Sequence, residues 1–148
     1  MSNRNEVPFA FTLHVRDTCL CLHVQRAARA LARRFDEALR PAGLTNGQFS
    51  LLMSLNRPQP PSIGSVAALL AMDRTTLTAA LKPLERRRLV KVKADPADKR
   101  ARLLTLTPAG RSLLESAAPI WKETHAEIER NLPRANAEEL RADLRALK

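Results

Sequence analysis

Residues 62–107 read SIGSVAALLAMDRTTLTAALKPLERRRLVKVKADPADKRARLLTLT, and a change of period inside this stretch decides the fold. Ser62 offers a hydroxyl cap to a short helix over residues 63–71, and Asp73 caps a second that runs to about Arg88. Two helices joined by a tight turn near Met72-Asp73 make a helix-turn-helix pattern. Beyond Leu89 the period drops to two. Val90 and Val92 alternate with Lys91 and Lys93, a turn covers residues 94–99 around Asp95-Pro96, and a returning strand covers residues 102–107.

Within the second helix Leu77, Leu81 and Leu84 fall on one side and hold it to its neighbours, leaving Arg74, Thr75, Thr76, Thr78 and Lys82 for the outside, with Arg86 following. These side chains suit the major groove of a duplex. Arginine bonds guanine edges in pairs, and threonine offers a hydroxyl and a methyl group. Thr75 and Thr76 also suit a purely local capping role, so neither decides the matter alone. The hairpin adds Lys91, Lys93, Lys99, Arg100 and Arg102, and a basic ribbon directly after a helix-turn-helix reads as a wing.

Charge points the same way. The chain of 148 residues carries a formal net charge of +10. Residues 82–102 hold nine basic side chains against Glu85, Asp95 and Asp98, so more than half the excess lies in one short stretch. A polyanion is the expected partner, double-stranded DNA first among them.

Outward from this centre the chain reads as helix. Leu20, Val24, Ala27, Ala28, Leu31, Phe35 and Leu39 recur at steps of three and four up to Arg40-Pro41, where proline forbids continuation. Thr45 caps a helix through Asn56, and Arg57-Pro58-Gln59-Pro60-Pro61 forms a stiff linker. Thr107-Pro108 opens a long helix with Leu113, Leu114, Ala117, Ile120, Trp121, Ile128 and Leu132 on its apolar side, and Pro119 inside it predicts a kink. Pro83 predicts a bend in the second helix of the pair. Asn136 with Glu139 three residues later resembles a capping box for a last helix bearing Leu140, Leu144 and Leu147.

The reading is therefore mainly α with a small β-hairpin wing (α+β), which excludes an α/β nucleotide-binding sheet. A run long enough to span a bilayer is missing, and the first residues lack the features of a secretory signal, so a cytoplasmic protein without membrane association is expected. His14, His23 and His125 have no metal-ligand spacing, and neither a nucleophile–base motif nor a phosphate-binding glycine loop stands out. No metal, no cofactor and no enzyme activity are expected. Charge alone would also permit a protein that coats DNA without a preferred site.

From Leu44 to Gly110 the chain resembles the MarR family of bacterial transcription regulators. The resemblance lies in Leu44-Thr45-Asn46-Gly47-Gln48-Phe49, Asp73-Arg74-Thr75-Thr76-Leu77, Leu84 through Val90, Asp95-Pro96-Ala97-Asp98-Lys99-Arg100, and Leu104 through Gly110. It implies one domain over residues 1–148, with a winged helix-turn-helix at 44–110 and dimerisation helices at 12–40 and 111–148. It also implies a homodimer on a near-palindromic operator. In the wing, Arg100 would enter the minor groove, steadied by Asp98. The family further implies release by a small aromatic or phenolic effector bound between the dimer helices and the winged domain. Where many relatives carry glycine this chain has Arg88, read here as an added phosphate contact.

Cys19 and Cys21 lie about 200° apart on a helix, poorly placed for a local disulfide or a shared metal. As free cysteines they suit a small core role. The resemblance gives a second reading, since peroxide-sensing relatives carry a reactive cysteine where Cys21 falls. Those relatives steady the thiolate with tyrosines, and here Gln25 and Phe35 stand in the comparable places.

Overall fold

The computed structural model describes residues 6–134 and 136–148. Among these the chain forms seven α-helices and one hairpin: α1 Phe9–Thr18, α2 Leu20–Leu39, α3 Asn46–Ser54, α4 Ile63–Leu70, α5 Arg74–Arg86, β1 Val90–Ala94, β2 Arg102–Leu106, α6 Pro108–Arg130 and α7 Ala137–Arg145. It is mainly α with a hairpin wing, as the sequence predicts. Packing divides it into two compact units, Met1–Arg34 and Phe35–Lys148.

The helices begin where the sequence places caps. Thr45 Oγ1 accepts from the Gln48 N–H at 3.2 Å while Gln48 Oε1 accepts from the Thr45 N–H at 3.1 Å, a complete capping box that opens α3. Ser62, Asp73 and Thr107 each accept from the third residue of their helices. Asn136 instead bonds the Glu138 N–H, at 2.9 Å, one position short of the expected box to Glu139.

In the second unit the core gathers Phe35, Leu39, Leu52, Val66, Leu77, Leu81, Leu84 and Leu104 from helices and hairpin alike. Fully burying each such side chain contributes about 1.5–3 kcal/mol. Phe35 and Leu39, at the end of a stretch read as dimerisation helix, belong to this core. Leu114 and Ala117 are buried on α6, while Leu132 lies past the end of that helix. Both α5 and α6 continue through their internal prolines.

α4 ends at Leu70 and α5 at Arg86, each slightly earlier than the sequence predicts. Ala71 closes α4 in the left-handed region at φ 52°. Arg88 adopts φ 58° just after α5, the conformation that glycine would take without strain. Arg87 between them donates to the Gly43 carbonyl at 2.9 Å, tying the end of α5 to the turn after α2.

β1 and β2 pair antiparallel with Val90 opposite Leu106 and Ala94 opposite Arg102. A third segment escaped the sequence reading. Leu104 N–H donates to the Pro61 carbonyl at 2.9 Å and Ser62 bridges Leu103, so the proline-rich linker covers the free edge of β2.

The first unit holds α1, which precedes the helix that the sequence reading began at Leu20. Cys19 turns to ψ 110° between them. Phe9, Phe11, Val15, Leu20 and Val24 stay exposed there, Phe9 at 72% and Leu20 at 69%. Leu140 and Leu144 on α7 are also exposed, as is Leu147, which lies past the end of that helix. Arg141 binds α7 to α6 by donating to Glu129 at 2.8 Å and to Glu138 at 3.0 Å.

Candidate nucleic-acid interface

The start of α5 is built by one carboxylate. Asp73 Oδ1 accepts the Thr76 N–H at 2.7 Å, and its Oδ2 accepts the Thr76 hydroxyl at 2.8 Å. These bonds, the backbone one first, hold the Asp73 carboxyl below its ordinary range. The Thr78 hydroxyl donates to the Arg74 carbonyl at 2.8 Å. Both hydroxyl protons are thus committed within the helix. Toward a ligand, Thr76 and Thr78 present lone pairs and a methyl group, which suits donors on base edges and the methyl of thymine.

Arg74, Thr75, Thr76, Thr78, Lys82 and Arg86 are all exposed on α5, as the sequence places them. Lys91, Lys99, Arg100, Arg102 and Asp98 are exposed on the hairpin. The loop between the strands is closed by its aspartates. Asp95 Oδ1 accepts the Ala97 N–H at 2.9 Å and Asp98 Oδ1 accepts the Arg100 N–H at 3.0 Å. Asp98 therefore steadies the Arg100 backbone. Arg102 turns its guanidinium back over the loop, donating to the Lys99 carbonyl at 3.1 Å.

A cleft of about 330 Å³ brings these two elements together. Arg74 and Thr78 of α5 face Asp98, Arg100 and Arg102 of the wing, with Gly64 of α4 in its wall. Lys82, Arg86 and Lys91 lie outside it. Gly64 was missed by sequence reasoning. A β-carbon there would lie 2.6 Å from Arg74 Nη2, so the guanidinium rests directly against the first turn of α4. The available signal was a glycine within a short helix, where alanine would be the stronger helix former.

A second hollow of about 460 Å³ lies within the same unit among α3, α4 and α6. Phe49, Met53, Leu69, Leu70 and Trp121 make it apolar, and Lys122 supplies a cation in its lining. Trp121 stacks on His125 at 4.6 Å between ring centroids and lies 6.4 Å from Phe35 and 6.3 Å from Phe49. Cys19 is half-buried and Cys21 exposed, both as free thiols. The Cys19 sulfur accepts the Leu22 N–H at 3.5 Å. Among the described residues, neither a group of side chains suited to holding a metal nor a helix long and apolar enough to cross a membrane occurs.

The model of the MarR family matches residues 44–101. The chain is similar to the transcriptional activatory protein BadR of Rhodopseudomonas palustris, 33% identical over 102 residues, which cover 67% of this chain and 58% of that protein. The chain thus spans little more than half the length of that relative. Among solved structures it is similar to the M. tuberculosis transcriptional regulator MosR in complex with DNA, with a TM-score of 0.80 and 38% identity over 88% of this chain and 93% of that one. It is also similar to Bordetella bronchiseptica BpsR, whose DNA binding is regulated by 6-hydroxynicotinic acid. There the TM-score is 0.77 and the identity 29%, over 86% of this chain and 91% of that one.

Proposed function

Since the chain belongs to the MarR family, we propose that it is a cytoplasmic, sequence-specific double-stranded DNA-binding transcription regulator, a repressor that a small aromatic or phenolic effector releases. One observation carries the reading. The exposed polar face of α5 and the basic wing meet around one cleft, with Arg74, Arg100 and Arg102 on its walls. A recognition helix in the major groove and a wing in the neighbouring minor groove use that arrangement directly. The likeness to MosR in complex with DNA supports it.

The regulator acts as a homodimer on a near-palindromic operator. The exposed apolar side chains of α1 and the start of α2, and separately those of α7, supply surface for a second copy. The effector belongs in the apolar hollow. Its volume suits one aromatic ring with substituents, Trp121 and Phe49 offer ring faces, and Lys122 offers a partner for an acid group. The acid named for BpsR is of this chemical class.

The experiment is fluorescence anisotropy with duplex from the DNA upstream of the gene against scrambled duplex, repeated with benzoate and 6-hydroxynicotinate. Trp121, the single tryptophan, reports occupancy of the hollow by its emission. A preference of at least a thousandfold for the upstream duplex is the expected result. Equal affinity for both would replace the reading with a protein that coats DNA.

A second reading rests on the exposure of Cys21 and on the Cys19 sulfur at the first turn of α2. In it, oxidation of a thiol rather than an effector releases DNA. Oxidant that dissociates the wild type while sparing Cys21→Ser or Cys19→Ser would establish it.

A further inference from the structure

Arg74 is the first residue of α5, where a long basic side chain is expected to reach straight toward base edges. Its guanidinium instead lies against the first turn of α4. The close approach to Gly64 is possible because that position has no β-carbon. Glycine is a poor choice for the helix itself, since alanine favours a helix by up to about 1 kcal/mol. The atom that an added β-carbon would displace is the far end of the Arg74 side chain, and no backbone lies in the way.

The place where Arg74 is held has a definite chemistry. It shares its cleft with Arg100 and Arg102, against a single carboxylate, Asp98, which accepts the Arg100 N–H. α4 begins at the same wall, and its first N–H groups add partial positive charge. Such a hollow suits a tetrahedral anion far better than the flat edge of a base. On a duplex, that anion is a phosphate of the backbone.

We propose that Gly64 is a positioning residue for Arg74, letting its guanidinium lie in the cleft between α4 and the wing, where it takes one DNA backbone phosphate. The proposal rests on the DNA-binding reading and deepens it, assigning Arg74 to affinity and register while base discrimination falls to Thr75, Thr76 and Thr78.

The test compares full-length wild type, Gly64→Ala, Arg74→Ala and the double variant on upstream and scrambled duplexes at several salt concentrations, with a thermal melt of each. Gly64→Ala and Arg74→Ala should each weaken both duplexes by about tenfold, the scale of one charge-assisted hydrogen bond. Each should lower the salt slope by about one unit. In the Arg74→Ala background Gly64→Ala should add nothing, and its own melting temperature should be unchanged or higher. Four results would overturn the proposal: wild-type affinity in Gly64→Ala; a further loss in the double variant; a marked fall in melting temperature for Gly64→Ala; or an altered preference for upstream DNA at an unchanged slope, which would make Arg74 a base reader. A wild type that ignores DNA would remove the underlying reading itself, and the first measurement separates that case.

Discussion

Gly110 packs so tightly beneath Leu89 that a β-carbon on it would collide with the Leu89 carbonyl oxygen. That oxygen already accepts the Thr107 N–H at 3.0 Å. Beside it Thr107 Oγ1 donates to the Arg88 carbonyl at 2.7 Å and accepts the Gly110 N–H at 3.0 Å. The exit of α5, the end of the wing and the entry to α6 are thus fastened at one buried point.

Gly110→Ala should therefore destabilise the fold by about 1–3 kcal/mol, because backbone rather than a side-chain tip must give way. Gly47→Ala is the natural control. A β-carbon at Gly47 meets open space within α3, so that variant should gain roughly 0.5–1 kcal/mol. Urea unfolding followed by circular dichroism compares the two, and equal midpoints would contradict the packing described.

Arg88→Gly should stabilise the protein by about 1 kcal/mol, since a left-handed residue costs arginine roughly 1–2 kcal/mol. If Arg88 also contacts a phosphate, DNA affinity will fall while the melting temperature rises. Affinity and stability rising together would leave Arg88 without a part in binding.

Asp73 gives the start of α5 a dependence on acid. Its carboxyl is held below the ordinary aspartate range by the Thr76 N–H and then by the Thr76 hydroxyl. The stabilisation is complete above the unfolded pKa, near 3.8, and is lost as pH falls through the lower folded value. Melting temperatures recorded across that range should drop more steeply for wild type than for Asp73→Asn, whose amide oxygen accepts a hydrogen bond at every pH. Parallel curves would sink the assignment.

The two basic elements should separate in binding experiments. Arg100→Ala should weaken upstream duplex strongly, Thr76→Ala should change which sequences are bound by about 1–3 kcal/mol of discrimination, and Lys91→Ala should weaken all duplexes evenly. Arg100 and Lys91 are exposed, so the melting temperatures of their variants should stay near wild type, whereas Thr76→Ala also loses the hydroxyl bond to Asp73 and should melt slightly lower. Wild-type affinity in Arg100→Ala would rule out docking through the wing.

The winged centre was legible because each of its signals is local. Ser62, Asp73 and Thr107 announce their helices by chemistry that acts over three residues, and the alternation of Val90 to Lys93 is visible within one strand. The break at Cys19 is different. Neither proline nor glycine marks it, and the apolar period read from the sequence begins only at Leu20, so α1 was not recognised as a helix of its own. The pairing of Pro61 and Ser62 with β2, and the contact of Gly64 with Arg74, join residues 10 to more than 40 positions apart. Such contacts depend on how helices pack, which no single period encodes. The exposed site residues were found by type and position, but the inward commitment of the Thr76 and Thr78 hydroxyls required atoms.

The bond from Leu104 to the Pro61 carbonyl has a thermodynamic meaning beyond topology. It welds the base of the wing to the segment leading into α4, while Asp95 and Asp98 lock the backbone of the tip. Little main-chain freedom then remains to be surrendered when the wing meets its target. What must still be ordered is the pair of long side chains Lys99 and Arg100, at about 0.5–1.5 kcal/mol each, since Arg102 is already held by the Lys99 carbonyl. On the DNA-binding reading proposed above, a wing stiffened in this way would leave its target by moving as a whole.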